Sequence, residues 1–254
     1  MQTFDSDGVA IAYIDEPAQG APGDPILLIH GFASNHAVNW VNTGWVRSLT
    51  AAGRRVIALD NRGHGASEKL YDPALYHSGI MAEDARRLLD HLGIEQADVM
   101  GYSMGARITA FLALERPERV RSVLLGGLGW HLVEGGGLPV GIADALEAPS
   151  LAEVTSTIGK GFRIFAEQTS SDLRALAACM RGSRQLVPAA DCARIRQPVL
   201  VAVGTTDTIA GSPHELAAIL PNARALDIPG RDHNLAVGDK AHKQGVLAFL
   251  DERP

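Results

Sequence analysis

The sequence predicts an α/β fold: a mostly parallel sheet with helices on both faces and one helical insertion. Short apolar runs, typical of strands buried on both faces, alternate along the chain with stretches of helical period. This alternation stops over residues 126–197 and resumes at 198, so the intervening stretch is predicted to be an insertion that covers the strand ends. The core is therefore expected to comprise residues 1–125 and 198–254.

The composition is that of a globular chain with no marked charge bias. Of 254 residues, 46% are hydrophobic and 20% are charged, and the net charge of -6 does not suggest a nucleic-acid partner. No apolar run reaches membrane-spanning length, and the polar, acidic residues 1–7 do not resemble a signal peptide. Cys179 and Cys192 are too few for a disulfide framework. We therefore expect free thiols, a cytoplasmic location, a small-molecule substrate, and neither nucleic acid nor membrane as a partner.

Residues 1–96 contain three predicted strands. Residues 8–15 alternate apolar and polar side chains, which is typical of a half-exposed antiparallel strand. The apolar run at 26–29 and the stretch at 55–59 predict buried strands. The spacing of apolar residues predicts helices over 39–52 and 81–92.

From residue 97 onward, the alternation continues on either side of the insertion. Further strands are predicted at 97–100, 120–125, 198–203 and 225–228. Within the insertion, a glycine-rich loop at 135–137 is followed by short helical patterns at 151–165 and 173–179. A helix is predicted to begin near Pro213, and a last helix is indicated by Val246, Phe249 and Leu250.

A Gly-x-Ser-x-Gly sequence at residues 101–105 lies at the centre of the predicted sheet. It follows the apolar run at 97–100 and precedes a stretch of helical period, so Ser103 must occupy a sharp, strained turn. Gly101 and Gly105 have no Cβ, which lets the strand and the helix approach closely. The turn exposes the Ser103 hydroxyl at a helix N-terminus, where developing negative charge is stabilised. Ser103 is therefore the predicted nucleophile.

The residue types that a serine nucleophile needs follow other predicted strands. Ser103, Asp207 and His233 each come at the carboxyl end of a strand, where sites form in open α/β sheets. An imidazole can take the serine proton, and a carboxylate fixes its tautomer and stabilises its charged form, so these residues predict a catalytic triad. Asp232 and Asp227 are rival carboxylates. Asp232 adjoins the histidine in sequence, which makes a good hydrogen bond awkward, and Asp227 lies within a strand.

Acyl transfer also requires hydrogen-bond donors for the oxyanion of the intermediate. The backbone N–H of Met104 follows the nucleophile at the start of the helix. A second donor is expected from the loop after the first buried parallel strand, residues 30–32, and we assign it to the Phe32 N–H.

The remaining histidines give no sign of a metal site. No pair of them has convincing metal-ligand spacing. Five fall in predicted loops or on helix surfaces and are expected to be solvated: His36, His77, His91, His214 and His242.

These motifs together resemble the α/β-hydrolase superfamily over almost the whole chain. The resemblance rests on His30-Gly31-Phe32, Asp60-x-Arg62-Gly63-His64-Gly65-x-Ser67, Gly101-Tyr102-Ser103-Met104-Gly105, Asp207 and His233. It implies that the loop at 60–67 is structural, so that His64 is not catalytic, and that the insertion at 126–197 is a small lid. Residues of the insertion that could line a pocket are Trp130, His131, Phe162, Phe165 and Met180. Core packing explains each of these equally well.

The leading functional prediction is a serine hydrolase, without cofactor or metal, that cleaves a small carboxylic ester or lactone through an acyl-enzyme on Ser103. Other chemistry on the same triad stays open. The Ser-Met pair also resembles cofactor-free haloperoxidases, which make peracids, and carbon–carbon bond hydrolases share the triad. A non-catalytic, ligand-binding member of the superfamily is a further alternative, and the sequence does not indicate the oligomeric state.

Arg107 bears on the choice among these alternatives. It lies four residues after Ser103, in an elbow that resembles that of menaquinone-pathway synthases, whose arginine at this position binds a substrate carboxylate. The Asn61-Arg62 pair is more similar to general esterases. Arg107 is therefore a candidate pocket residue, although a salt bridge on the helix surface is the role we expect.

Overall fold

The computed structural model describes residues 1–136 and 141–253, and within them the chain forms an eight-stranded sheet. The strands are β1 (Gln2–Asp5), β2 (Ala10–Glu16), β3 (Ile26–Ile29), β4 (Val56–Leu59), β5 (Ala97–Tyr102), β6 (Val120–Gly126), β7 (Val199–Gly204) and β8 (Ala223–Ile228). Their order is β1-β2-β4-β3-β5-β6-β7-β8. All pairs from β4 to β8 are parallel, and β2 is antiparallel to both of its neighbours. The predicted fold class is confirmed.

The antiparallel edge holds one strand more than the sequence predicted. β1 pairs with β2 in a register that runs from Gln2 opposite Tyr13 to Asp5 opposite Ala10. Of its four residues only Phe4 is buried, against the ring of Tyr13, with ring centroids 6.0 Å apart. A strand with a single inward apolar side chain has no hydrophobic period for the sequence to display.

The helices of the described residues are α1 (Trp45–Ala51), α2 (Ser78–His91), α3 (Met104–Glu115), α4 (Ile142–Glu147), α5 (Thr157–Gln168), α6 (Leu173–Gly182), α7 (Ala189–Cys192), α8 (Pro213–Ile219) and α9 (Lys240–Glu252). The continuous helix predicted over 39–52 is instead a π-helical turn, Ala37–Val41, followed by α1. Gly44 separates the two with a φ of 80°, a backbone conformation that interrupts helical geometry.

Apolar side chains pack on both faces of the sheet. Leu27 and Ile29 of β3 belong to a cluster that includes residues of α2 and α3, whereas Ile26 and Leu28 pack with residues of α1 and α9 on the other face. Successive side chains of a strand point to opposite faces. A strand that is apolar at every position, such as β3, can therefore hold helices against both sides of the sheet.

The chain between β6 and β7 contains α4, α5, α6 and α7, and its described part contains no strand. α4 packs against α5 and α6. Gly137, the last residue of the glycine-rich loop, lies outside the described residues. Cys179 and Cys192, both from this segment, are buried free thiols. Among the residues described, no helix is both long and apolar enough to span a membrane.

Candidate active site

Ser103 occupies the strained turn that the Gly-x-Ser-x-Gly sequence predicts. It links β5 to α3 with φ 55° and ψ -112°, values that a non-glycine residue rarely adopts. A Cβ at Gly101 would lie 2.1 Å from the carbonyl oxygen of Gly105, and one at Gly105 would lie 2.0 Å from that of Ile29. Because neither position can hold a side chain, the two glycines are what allows the serine to be held at this angle.

Ser103, Asp207 and His233 are brought together at the carboxyl end of the sheet. The Oγ of Ser103 lies 3.0 Å from Nε2 of His233, and Nδ1 of His233 lies 2.8 Å from Oδ2 of Asp207. The Asp207 side chain is fully buried and that of His233 is 11% exposed. The carboxylate fixes the proton on Nδ1, so that Nε2 is free to accept the serine proton.

The second oxygen of Asp207 is held by the backbone. Its Oδ1 accepts hydrogen bonds from the N–H groups of Ile209, at 2.7 Å, and Ala210, at 3.1 Å. The rival carboxylates are engaged elsewhere: Asp232 accepts from the N–H groups of Asn234 and Leu235, and Asp227 pairs with His214. The geometry therefore favours Asp207 as the partner of the imidazole.

Side chains from three elements hold the loop that carries His233. The Tyr102 hydroxyl donates to the His233 carbonyl at 2.5 Å, and the Trp45 indole N–H donates to the Val237 carbonyl at 2.7 Å. Nδ1 of His242 lies 3.1 Å from the carbonyl oxygen of Ala236. The sequence analysis did not identify these supports, and the only signal for any of them was the position of Tyr102 beside the nucleophile.

The loop after β3 lies against the nucleophile turn, as the oxyanion-hole prediction requires. Phe32 and Met104 line one cavity together with Ser103. Within the described residues, neither the Phe32 N–H nor the Met104 N–H donates a hydrogen bond to another residue. The Gly31 N–H donates to Oδ1 of Asn39 at 2.7 Å, which fixes the loop. Both predicted donors are therefore available to a ligand.

The 60–67 loop has the buried hydrogen bonds of a structural element. Asp60 accepts from Nδ1 of His36 at 2.8 Å and from the Ala66 N–H at 2.8 Å. Burial opposes ionisation of Asp60, but these hydrogen bonds outweigh it and hold its pKa at about 2. His64 is fully buried, its Nδ1 lies 2.9 Å from the Arg62 carbonyl, and burial lowers its pKa to about 3. These contacts agree with the structural role that is expected of this loop.

Two cavities formed by described residues meet at Ser103, and both are also lined by Phe32 and Ile209. The larger, of about 570 Å³, is lined mainly by apolar side chains and includes His233. The smaller, of about 80 Å³, lies on the side of Met104. Of the predicted pocket residues, Phe162 and Phe165 line the larger cavity, and Met180 and Arg107 line the smaller.

Trp130 and His131 line neither of these two cavities. The Trp130 N–H donates to the Ser212 carbonyl at 3.0 Å, and Nδ1 of His131 lies 2.7 Å from the Ile209 carbonyl. Both residues thus connect the segment after β6 to the loop that contains Asp207 by hydrogen bonds. Trp130 was predicted to line the pocket, but it lines neither cavity.

Arg107 is not the surface ion pair that the sequence analysis favoured. Its guanidinium donates to the carbonyls of Gln185 and His131, and no carboxylate of the described residues pairs with it. Burial, together with the charge of Arg184, lowers its pKa to about 10. The helix turns this side chain inward, because Arg107 lies one turn after Ser103 on α3 and so shares its face of the helix.

No group of three or more His, Cys, Asp or Glu residues in the described part of the chain is arranged to hold a metal ion.

Comparisons with known proteins connect this geometry to a family. The family model described as alpha/beta hydrolase fold matches residues 24–140. The chain is 38% identical over 137 residues to 2-hydroxymuconate semialdehyde hydrolase from Pseudomonas sp. (strain CF600), an alignment that covers 52% of this chain and 45% of that protein. The matched part of this chain therefore spans less than half the length of that relative.

Two further similarities extend over nearly the whole chain. One is to non-heme chloroperoxidase CPO-A1 from Kitasatospora aureofaciens, at 27% identity over 278 residues, covering 97% of this chain and 98% of that protein. The other is to the crystal structure of a hydrolase from Pseudomonas aeruginosa PA01, with a TM-score of 0.78 and 28% identity, covering 98% of this chain and 97% of that one. Since nearly the whole chain matches the fold of a solved hydrolase and the family model covers β3 to β6, the chain belongs to the α/β-hydrolase superfamily.

Proposed function

We propose that this protein is a serine hydrolase that cleaves a carboxylic ester or lactone through an acyl-enzyme on Ser103. The observation that carries the proposal is the continuous hydrogen-bonded chain from Ser103 Oγ through His233 to Asp207, with lengths of 3.0 and 2.8 Å. Such a chain activates a hydroxyl that is a poor nucleophile by itself.

In the first half-reaction, Ser103 Oγ attacks the carbonyl carbon while Nε2 of His233 takes the hydroxyl proton. The carbonyl electron pair moves to oxygen, and the N–H groups of Phe32 and Met104 stabilise the resulting oxyanion. The tetrahedral intermediate collapses, the bond to the alcohol oxygen breaks, and His233 gives its proton to that oxygen. The alcohol leaves, and the acyl group stays on Ser103.

In the second half-reaction, water replaces the alcohol. His233 removes a proton from the water molecule, whose oxygen attacks the acyl carbon. The second intermediate expels Ser103 Oγ, which recovers its proton from His233. The products are a carboxylic acid and the free enzyme.

The segment at 126–197 acts in this proposal as a lid over the strand ends. Phe162 and Phe165 of α5 line the larger cavity, and Phe162 contacts Phe32 of the oxyanion loop with ring centroids 5.8 Å apart. An apolar wall on this side excludes water from the acyl-enzyme until the alcohol has left, and it strengthens the hydrogen bonds that stabilise the oxyanion.

A second candidate function is different chemistry on the same three residues, such as a synthase-like elimination, carbon–carbon bond hydrolysis or peracid formation. The observation that favours it is Arg107, which lines the smaller cavity rather than the protein surface. The similarity to a chloroperoxidase and to a semialdehyde hydrolase also supports chemistry beyond simple esters. A ligand-binding role without catalysis is the third alternative.

Turnover of p-nitrophenyl acetate tests the proposal. The Ser103→Ala variant is expected to lose activity by a factor on the order of 10⁴ to 10⁶ in kcat, because the triad acts as a unit. Ser48→Ala is the matched control, since Ser48 lies on α1 and lines neither cavity. It should retain wild-type turnover.

Three results would contradict the proposal. Full activity in a folded Ser103→Ala protein would exclude Ser103 as the nucleophile. A wild-type protein that releases at most one equivalent of p-nitrophenol would support a binding module. Turnover of neutral esters no faster than that of Ser103→Ala, combined with activity in an elimination or perhydrolysis assay, would favour the second candidate.

A further inference from the structure

The two cavities that meet at Ser103 contain different groups of the proposed site. His233 lines the larger cavity and not the smaller, whereas Met104, whose N–H is one of the two proposed oxyanion donors, lines the smaller and not the larger. Ser103 lines both. The site therefore has a histidine side and an oxyanion-helix side.

Proton transfer on the histidine side decides where the two halves of an ester lie. In the tetrahedral intermediate, the alcohol oxygen must lie near Nε2 of His233 to receive its proton before it leaves. The alcohol part therefore extends into the larger cavity, which His233 lines. The acyl chain leaves the same carbon atom in another direction, and the smaller cavity beside Met104 is the space on that side.

Uncharged groups form the walls of the larger cavity. Among the described residues, no Asp, Glu, Lys or Arg side chain lines it, and its polar lining includes the neutral side chains of Asn39, Thr43 and Asn234. His233 must itself be neutral to accept the serine proton. A charged group held against these walls would lose hydration without gaining an opposite charge, which is unfavourable. The alcohol part is therefore expected to be uncharged.

One face of α5 forms an apolar wall of the larger cavity. Ile158, Phe162 and Phe165 line it at spacings of four and three residues, which place them on one face of the helix. Gly161 also lines the cavity, and a Cβ there would have no heavy atom within 4 Å. The wall therefore leaves room for a bulky group, and its two phenylalanine rings favour an aromatic one.

Polar contacts elsewhere on α5 hold this wall in place. Arg163, which is 8% exposed, donates to the carbonyls of Leu146 and Ala148, both at 2.9 Å, at the C-terminal end of α4. The hydroxyl of Thr169, just after the last residue of α5, lies 3.3 Å from the carbonyl oxygen of Ala33 in the loop after β3. These contacts fix the helix on both the inserted segment and the loop beside the nucleophile, so its apolar face is formed before a substrate binds.

The two cavities also differ in size, with volumes of about 570 Å³ and about 80 Å³. A water molecule takes up about 30 Å³ in the liquid, so the smaller cavity has space for about three atoms of that size. It therefore suits a short acyl chain, whereas the larger cavity lies within the range of sites that hold a ligand of several rings.

We propose that the preferred substrates are esters of short carboxylic acids with bulky, uncharged aromatic alcohols: the acyl chain occupies the smaller cavity, and the alcohol lies against α5 in the larger. This inference rests on the proposed ester hydrolysis and adds the substrate class. Each turnover consumes one water molecule and breaks the bond between the acyl carbon and the alcohol oxygen. The products are the short carboxylic acid and the aromatic alcohol.

Two isomeric esters test which half of the substrate lies in which cavity. The first is 2-(2-naphthyl)ethyl acetate, with its rings in the alcohol, and the second is methyl 3-(2-naphthyl)propanoate, with its rings in the acyl chain. Both have a primary alkyl alcohol or methanol as the leaving group and an unbranched acyl chain, so their intrinsic reactivities are similar. We expect kcat/KM for the acetate to exceed that for the propanoate by a factor of about 10 to 100, because only the acetate matches each half to a cavity of its size.

A matched pair of acetates tests the absence of charge from the larger cavity. The naphthyl ring of the first ester is given either a carboxylate or a carboxamide at its 6-position, two groups of similar size that differ in charge at neutral pH. We expect kcat/KM for the carboxylate to be lower by at least about tenfold, because no opposite charge compensates its lost hydration. Equal values, or a preference for the carboxylate, would overturn the inference.

A side chain added to α5 tests the position of the alcohol. In Gly161→Leu we expect the acetate-to-propanoate ratio of kcat/KM to fall by about tenfold or more, mainly through KM for the acetate, because the new side chain takes up space in the larger cavity. Lys160→Leu is the matched control, since Lys160 precedes Gly161 on α5, is exposed and lines neither cavity. Its ratio should equal that of the wild type, and urea unfolding checks that both variants are folded.

The outcomes separate this inference from the proposed function. Equal kcat/KM for the two isomers, a preference for the propanoate, or an unchanged ratio in folded Gly161→Leu would each overturn the inference while leaving ester hydrolysis in place. The isomer comparison uses the wild-type protein and so does not depend on the folding of a variant. Cleavage of p-nitrophenyl acetate but of no naphthyl ester would also overturn the inference alone. Failure to cleave p-nitrophenyl acetate and all of the naphthyl esters would overturn the proposed function itself.

Discussion

The strand-end loops and the inserted segment build the same site in different ways. In the loops, the proposed reacting groups are fixed by backbone conformation and by hydrogen bonds: Ser103 by its strained turn, Asp207 by two N–H donors, and the His233 loop by Tyr102. The inserted segment contributes mainly side-chain surface, such as Phe162 and Met180. In the proposed function, the chemistry therefore depends on groups held by backbone conformation and hydrogen bonds, and substrate selectivity depends on side-chain surface.

The comparisons with known proteins cover the Ser103 turn together with part or all of the inserted segment. The family model matches residues 24–140, which include β3 to β6 and end within the inserted segment. Similarity to a semialdehyde hydrolase and to a chloroperoxidase shows that this framework occurs in proteins whose names describe different substrates. One fold can support different reactions when different side chains surround its site.

The largest effect expected within the loops is that of Asp207→Asn. Asparagine would favour the wrong imidazole tautomer, so kcat on p-nitrophenyl esters should fall by a factor on the order of 10³ to 10⁴. Asp232→Asn is the matched control, because Asp232 caps the N–H groups of Asn234 and Leu235 and does not contact the ring. It should lose less than about tenfold. The reverse order of effects would identify Asp232 as the orienting carboxylate.

A pair of glycine substitutions compares the two regions directly. A Cβ at Gly105 would lie 2.0 Å from the backbone oxygen of Ile29, so Gly105→Ala should destabilise the fold by about 3 kcal/mol or more and abolish activity. A Cβ at Gly161 of α5 has no heavy atom within 4 Å. Gly161→Ala should therefore leave the free energy of unfolding unchanged or raise it by up to about 1 kcal/mol.

Urea unfolding at one pH measures both changes. Equal destabilisation by the two substitutions would show that the inserted segment is as tightly constrained as the nucleophile turn. That result would remove the distinction on which the comparison rests.

The parts of the site that could be predicted from sequence are those with a local physical requirement. The turn at Ser103 needs glycines at fixed spacing. A parallel sheet brings the carboxyl ends of its strands to one edge, so the order of Asp207 and His233 in the chain was enough to place them near Ser103. The order of strands in the sheet and the identity of the supports beneath the histidine loop carry no such local pattern.

The errors come from contacts between distant residues. Arg107 was expected at the surface because a helix position alone does not reveal what covers it, and the cover here is the segment that contains Gln185. Trp130 was expected in the pocket, yet its place is set by a backbone hydrogen bond to Ser212. His242 was expected to be solvated, but it is 1% exposed beneath the histidine loop.

The smallest expected effect is a change in the pH dependence of stability, and it concerns the buried His242. This residue contacts the loop that carries His233 and not the inserted segment. Burial lowers its pKa from 6.5 to about 4. Between these two pH values the unfolded chain binds a proton that the folded chain does not, so the free energy of unfolding falls as the pH falls, by up to about 1.4 kcal/mol per pH unit for this residue. Urea titrations of the wild type and of His242→Gln at pH 7, 6 and 5 should give a slope that is shallower in the variant by about this amount. Parallel slopes would mean that His242 titrates alike in the folded and unfolded chains, and would contradict this prediction.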